Sequence, residues 1–128
     1  MKKKVYICFD YDNDYELKED LVTQAKNPDS PFEITDMSIK QEISSKWKHF
    51  ARLKIKKADI VIVLCGRHTD TASGVAAELS ITQEERKPYF LLCGRKDGNV
   101  KKPQNAKSTD NINKWTWDNL KKLIDGGR

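Results

Sequence analysis

The sequence predicts an α/β fold with a doubly wound, mainly parallel five-stranded sheet of the flavodoxin-like type and helices on both faces. Short apolar runs rich in β-branched residues alternate along the chain with amphipathic segments at helical spacing. Such alternation is typical of βαβ units with right-handed crossovers, which form parallel sheets. The 128 residues contain no internal repeat and no linker-like stretch, so we expect residues 1–128 to form a single domain.

The first half of the chain contains two predicted strands, each followed by a predicted helix. The strands occupy residues 4–10 and 32–37, and the first helix occupies residues 14–26, where apolar residues recur at helical spacing. An Asn-Pro turn signal ends that helix. A long amphipathic helix is expected from about Ser38 onward. Its apolar face is predicted to consist of Ile39, Ile43, Trp47, Phe50 and Ile55.

The second half continues the alternation of strands and helices. Residues 59–64 and 89–93 are predicted as buried strands, and residues 73–86 between them as a helix. Residues 94–110 are polar, rich in lysine and without periodicity, which predicts a long surface loop. A short strand or turn and a last helix complete the pattern. The inner face of the last helix is predicted to carry Trp117, Leu120 and Ile124.

The composition is typical of a soluble globular protein, since 34% of the residues are charged and 38% are hydrophobic. No apolar run approaches the ~18 residues of a membrane span, and the N-terminus lacks the pattern of a secretion signal. We therefore expect a cytoplasmic protein without membrane contact. The net charge of +5 favours phosphate-bearing ligands. Nucleic-acid binding is not favoured, because the basic residues of the long helix are expected to form its solvated face.

Cys8, Cys65 and Cys93 are expected to be small, buried residues in a reducing compartment. Each lies within or at the end of an apolar segment, and their wide spacing matches neither a zinc site nor a redox pair. The odd number of cysteines also argues against a disulfide framework. Two histidines with scattered acidic residues do not define a metal site, so no metal is expected.

Glu78 is the first candidate functional residue, because it lies in the second turn of the helix that follows the third predicted strand. Open parallel sheets bind small molecules at the carboxyl ends of their strands, where a loop enters the next helix. With the N-cap placed at Ser73, Glu78 falls at the border of the packed face. A semi-buried carboxylate usually bonds a specific partner. The alternative is a surface glutamate that gains from the helix dipole.

The loop before this helix combines flexible backbone, hydroxyl donors and a cation. Such a combination at a helix N-terminus could hold a phosphate or pyrophosphate group. Neither the Walker spacing nor the dinucleotide fingerprint is present. The alternative is that the hydroxyl groups only cap the helix and stabilise turns. The candidate ligand-binding residues of this loop are Gly66, Arg67, His68, Thr69, Thr71, Ser73 and Gly74.

The segment after the first strand, residues 9–14, is expected to lie beside the Glu78 loop at the same edge of the sheet. The rings of Phe9 and Tyr11 could stack on a base, and carboxylates such as Asp10 could accept ribose hydroxyls. The acidic residues also resemble the metal pocket of phosphate-accepting receiver domains. That interpretation is disfavoured, because the third strand ends without an acceptor aspartate.

Several motifs together resemble those of a known family. They are KVYICFDYDND at the first strand, ADIVIVLCGRHTDTASGVAAEL around Glu78, KPYFLLCG, and the terminal KWTWDNLKKLI. The chain resembles the small TIR-like proteins related to the TIR subunit of the bacterial Thoeris anti-phage system. This resemblance implies a flavodoxin-like TIR fold and, for many members, cleavage of NAD between nicotinamide and ribose.

Further expectations follow from this resemblance. It implies that Glu78 is the essential glutamate and that Phe9, Asp10 and Tyr11 help to hold the nucleotide. NAD is then a substrate, and no resident cofactor is expected. The products can be ADP-ribose or cyclised variants that signal to a downstream effector protein. Residues 36–40 stand where TIR proteins place an assembly loop, which makes self-association an open expectation.

One departure from the family pattern keeps other functions open. Many TIR NADases carry a tryptophan four residues before the glutamate, where this chain has Gly74. A ring from elsewhere, such as Tyr11 or a residue of another subunit, could replace it. Otherwise the chain is a catalytically silent TIR-like module that binds nucleotide or protein partners. A nucleoside deoxyribosyltransferase-like enzyme with a nucleophilic glutamate is a further alternative.

Overall fold

The computed structural model describes residues 2–38 and 46–127. The described elements are β1 (Lys3–Cys8), α1 (Tyr15–Ala25), β2 (Phe32–Met37), α2 (Trp47–Lys57), β3 (Ile60–Cys65), a 3₁₀ turn (Thr69–Thr71), α3 (Ser73–Glu84), β4 (Tyr89–Cys93), β5 (Ile112–Asn113) and α4 (Trp117–Ile124). They form one five-stranded sheet in the order β2-β1-β3-β4-β5. All four strand pairings are parallel.

Helices cover both faces of the sheet, which confirms the doubly wound α/β prediction. Helices α1 and α4 pack on one face, against Val5, Ile7 and Ile62 among others. Helices α2 and α3 pack on the other face, which includes Tyr6 and Cys8. Every residue of β3 is buried, as expected for a central parallel strand whose sequence is a continuous apolar run.

The predicted apolar face of the long helix is wrong at one residue, Phe50. The described part of this helix is α2, while Ile39, Ile43 and the rest of residues 39–45 lie outside the described residues. Phe50 was expected on the inner face, but its side chain is 52% exposed. The buried face of α2 is instead set by Ala51 and Ile55, which are four residues apart and therefore share one side of the helix.

Other predictions hold with small changes at the ends of elements. The strands predicted at 32–37 and 89–93 have those bounds. The N-cap of α3 is Ala72 instead of Ser73, because Ser73 is already the first helical residue. All three cysteines are free, with Cys8 and Cys65 buried and Cys93 half-buried.

The sheet topology determines where a ligand site can form. The carboxyl end of β1 lies between those of β2 and β3. Chain segments that leave these three strands therefore converge at one edge of the sheet.

Within residues 2–38 and 46–127, no helix combines the length and the apolar composition that crossing a membrane requires.

Candidate active site

A cavity of about 300 Å³ opens at the edge where β1, β2 and β3 end. Residues 9–13, which follow β1, form one part of its lining. Ser38 and Trp47 approach from the side of β2, and residues 71–75 with Glu78 come from the side of β3. The structure thus brings Glu78 and the loop after β1 to one cavity, as the sequence predicted.

Glu78 lines this cavity, although the residue is only 3% exposed. Within the described part of the chain, three side chains donate hydrogen bonds to it. Tyr6 Oη donates to Oε2, whereas Ser38 Oγ and Cys8 Sγ donate to Oε1, the latter at 3.5 Å. Glu78 is therefore more deeply buried than its predicted place at the border of the packed face. The donors compensate in part for the loss of hydration around a buried charge.

The local sequence explains why these groups meet. Side chains alternate along a strand, so Tyr6 and Cys8 share the face of β1 that packs against α3. On α3, Val75, Glu78 and Leu79 recur at helical spacing and face the sheet. Ser38 follows β2 directly, where its backbone N–H donates to Ile7 O at 2.8 Å. Its hydroxyl also accepts from the backbone N–H of Phe9 at 3.0 Å, which fixes it beside Glu78.

Burial raises the pKa of Glu78 to about 7, although hydrogen bonds from Ser38, Tyr6 and Cys8 and the charge of Lys54 oppose the increase. Burial, and next the charge of Glu78, raise the pKa values of both Tyr6 and Cys8. The phenol and the thiol therefore remain protonated donors at neutral pH. The carboxylate can consequently exchange a proton near neutral pH while its orientation is maintained.

Aromatic rings form the wall of the cavity next to β1. Phe9 is buried, and its ring stacks on Tyr11 with centroids 5.9 Å apart. Tyr11 also contacts Tyr15 edge to face at 5.3 Å, and its own side chain is 37% exposed. Asp10 stabilises the turn below these rings, because its carboxylate accepts from Asp12 N at 3.2 Å and from the side-chain amide of residue 13 at 2.7 Å.

An ion pair anchors the far end of the same loop. Asp14 is only 1% exposed, and Arg95 Nη2 lies 2.9 Å from its Oδ1. Arg95 also donates to the backbone carbonyl of Asn13 at 3.1 Å. Gly66 lies directly against Asp14, because a Cβ at that position would come within 2.3 Å of both carboxylate oxygens. The segment after β4 thus holds the loop that lines the cavity.

Only some of the predicted phosphate-binding residues line the cavity. Thr71, Ser73 and Gly74 line the cavity, as expected. Arg67 and His68 do not reach it, because both are exposed in the turn after β3, where Arg67 pairs with Asp97.

Thr69 and Gly66 also lie outside the cavity lining. Thr69 is buried, and its hydroxyl accepts from the backbone N–H of Gly66 at 2.7 Å. These two residues therefore stabilise the turn, which agrees with the alternative interpretation of the loop hydroxyls.

Several residues at the site are absent from the predicted site residues. Tyr6 and Cys8 bond Glu78, and the unpredicted residues of the cavity lining include Ser38, Trp47, Ala72 and Val75. The alternation of β1 could have identified the first two, because a tyrosine and a cysteine interrupt the apolar pattern on one face. No local signal distinguishes Ser38, and Trp47 was expected only in the core. In residues 2–38 and 46–127, there is no group of at least three His, Cys, Asp or Glu side chains that could hold a metal ion.

The fold and the site define an α/β protein with a buried glutamate at the carboxyl ends of its parallel strands. The family model described as "Thoeris protein ThsB, TIR-like domain" matches residues 6–99, which is most of the chain. The chain therefore belongs to the ThsB TIR-like family. The matched range includes the loop after β1 and Glu78.

Eight chains of solved structures also match. One is the CMP N-glycosidase BcmB of Clostridium botulinum, with a TM-score of 0.55 and 16% sequence identity. The alignment covers 96% of this chain and 95% of that chain, which shows that the two share a fold over nearly their whole lengths. A search of curated proteins gave no match.

Proposed function

We propose that this protein cleaves NAD at the bond between nicotinamide and ribose, with Glu78 as the essential carboxylate. We base this proposal on the burial of that carboxylate and on its hydrogen bonds. Glu78 is buried and lines a cavity, and Tyr6, Ser38 and Cys8 orient its two oxygens. Membership of the ThsB TIR-like family supports the same chemistry, because many TIR-like proteins are NADases.

The reaction matches what one buried carboxylate can supply. The C1′–N bond breaks with its electron pair going to the ring nitrogen, so nicotinamide leaves as a neutral molecule and needs no general acid. Positive charge then develops on the ribose, as in other glycosyl transfers. A carboxylate beside C1′ or the ribose hydroxyls stabilises this charge more in the transition state than in the ground state.

The second half of the reaction needs a nucleophile and a proton acceptor. Water adds to C1′ and loses a proton, which gives ADP-ribose; attack by a group of the same nucleotide gives a cyclised product instead. Glu78, with a pKa of about 7, is suited to accept that proton at neutral pH. The mechanism needs no metal and no resident cofactor, because NAD is the substrate.

In this proposal, one end of the dinucleotide would occupy the cavity. Its volume of about 300 Å³ is at the lower end of the range for small-molecule sites, which suits a ring with its ribose. The remaining phosphates and adenosine would extend past Thr71 and Ser73 toward the start of α3. Backbone N–H groups at the first turn of a 12-residue helix favour negative charge there.

The family also supports a biological role. We propose that an ADP-ribose-type product acts in anti-phage defence as a signal to a downstream effector protein. Self-association through TIR-type contacts would complete or stabilise the active form. In that case, the rate per molecule of protein rises with protein concentration.

The direct test is to incubate NAD with a series of concentrations of the purified chain and to separate the products by chromatography with mass detection. We expect equimolar nicotinamide and an ADP-ribose-type nucleotide. Recovery of intact NAD from a protein that binds it would select the silent module. Base exchange on deoxynucleosides without nicotinamide release would select the deoxyribosyltransferase-like enzyme.

A further inference from the structure

We infer that a second ligand site lies in the groove between α1 and the carboxyl ends of β4 and β5, and that it binds a phosphate-bearing aromatic molecule of the mononucleotide class. The groove has a volume of about 880 Å³, which lies within the range of small-molecule sites. None of its described lining residues also lines the Glu78 cavity. The site is therefore distinct from the one proposed for NAD, and it does not depend on NAD cleavage.

The charges in this groove favour an anion. Three cationic side chains line it, those of Arg95, Lys96 and Lys114, against the single carboxylate of Asp20. Arg95 is already paired with two carboxylates. Both lysines are exposed, and among the residues that the structure describes they form no ion pair. Their ammonium groups are therefore available to bind phosphate.

The chain segment that forms one side of the groove strengthens this preference. Residues 94–114 contain six basic and two acidic residues, and such a concentration of positive charge attracts anionic ligands. Hydrogen bonds hold the segment against the rest of the domain. The backbone N–H of Lys101 donates to Gly66 O at 3.0 Å, and the side-chain amide of Asn105 donates to Ala76 O at 2.7 Å. The groove is therefore a formed feature of the fold.

Trp115 provides an aromatic surface beside these cations. Its indole N–H donates to Gln24 Oε1 at 2.8 Å, which ties the ring to α1. The side chain is half-buried, since it packs against the core and also lines the groove. Val100 and Ile112 add apolar surface. A flat base can stack on such a ring. Because Lys114 directly precedes Trp115 in the chain, a cation and a stacking surface lie next to each other.

A mononucleotide carries the two groups that this groove recognises within one molecule. Its phosphate matches the lysines, and its base matches the indole ring. A nucleoside lacks the charge, and inorganic phosphate lacks the ring. We therefore expect AMP to bind about tenfold more tightly than either adenosine or inorganic phosphate.

Cys93 reports binding in this groove without any substitution. It lines the groove and is half-buried, whereas Cys8 and Cys65 are fully buried. Iodoacetamide should therefore alkylate Cys93 first in the folded chain. The rate of its alkylation is measured by mass spectrometry of peptides at increasing concentrations of AMP, adenosine or inorganic phosphate. If Cys93 does not react in the free protein, calorimetric titration with the same three ligands replaces this measurement.

We expect AMP to slow the alkylation of Cys93 at about one tenth of the concentration that adenosine or phosphate requires. No protection by AMP at millimolar concentration would overturn the inference. Equal protection by adenosine would reject the role of the lysines, and equal protection by inorganic phosphate would reject the role of the ring.

Matched variants locate the two contacts. Lys114→Gln and Trp115→Leu are each expected to weaken AMP binding about fivefold or more. Lys107→Gln is the control, because it removes the same charge from an exposed residue outside the groove lining. Lys114→Gln decides the outcome if Trp115→Leu does not fold, since Lys114 is exposed. Unchanged AMP binding in folded Lys114→Gln would contradict the assignment.

A variant of the other site separates this inference from the proposed function. Glu78→Gln is expected to leave the protection of Cys93 by AMP unchanged, because Glu78 is not part of the groove. AMP binding at the groove of a chain that does not cleave NAD would support the second site and reject the proposed reaction. NAD cleavage by a chain in which AMP does not protect Cys93 would do the reverse.

Discussion

Tyr6 on β1 donates a buried hydrogen bond to Glu78 on α3, although 72 positions separate them in the sequence. The pKa of the phenol is raised by its own burial and by the neighbouring carboxylate, so the proton stays on Tyr6. A neutral donor of this kind stabilises the ionised form of Glu78 without carrying a charge itself. The contact therefore affects both the orientation and the pKa of the proposed catalytic group.

Tyr6→Phe tests this relationship through the pH dependence of nicotinamide release. Loss of the donor removes one influence that lowers the pKa of Glu78, so the midpoint of the pH–rate profile is expected to rise by about one pH unit. The rate at pH 7 falls because less of the carboxylate is ionised. Tyr89→Phe is the control, because that hydroxyl bonds Asp110 at 2.6 Å. An unchanged midpoint in Tyr6→Phe would contradict the assignment.

Glu78→Gln is expected to change how stability depends on pH. The pKa of Glu78 in the folded protein is about 7, above the ordinary value of 4.5. The protonated carboxyl group therefore contributes stability that is fully present below pH 4.5. This stability is lost as the pH rises through 7. The loss corresponds to about 3 kcal/mol in the free energy of unfolding. Urea unfolding at pH 5 and pH 8 measures it. The wild type should lose more stability between these two pH values than the variant does, and equal losses would contradict the burial argument.

Arg95→Gln tests the anchor of the loop that lines the cavity. It leaves the buried Asp14 without its partner, which is expected to cost about 3 kcal/mol in the free energy of unfolding. Adding Asp14→Asn should recover part of this loss. Arg67→Gln is the matched control, because the Arg67–Asp97 pair is exposed and should contribute little to stability. Equal effects of the two arginine variants in urea unfolding would rule out a special role for Arg95.

The sequence predicted the order of elements well, because buried strands such as β3 form continuous apolar runs with clear ends. The placement of Phe50 failed for a physical reason. The predicted apolar face consists of large side chains, whereas the observed α2 packs through Ala51 and Ile55. A small alanine contributes little to a hydrophobic pattern, although Ala51 is buried in the core.

The candidate site could be predicted only in part. Glu78 and the loop after β1 follow from the rule that ligands bind at the carboxyl ends of parallel strands. The donors to Glu78 come from β1 and from the residue after β2, so their contact depends on the register of three parallel strands. The turn that leaves Arg67 and His68 outside the cavity is local, and the sequence indicates it only through the alternative that the loop hydroxyls stabilise turns.

The measurement that most directly tests the central claim compares nicotinamide release from NAD by the wild type, Glu78→Gln and Glu84→Gln. Glu84 is on the same helix, but it is exposed and pairs with Arg52 at 2.7 Å. If Glu78 carries the reaction, its variant releases no nicotinamide above background, whereas Glu84→Gln retains the wild-type rate within about twofold. A folded Glu78→Gln protein that cleaves NAD at the wild-type rate would contradict the proposed function.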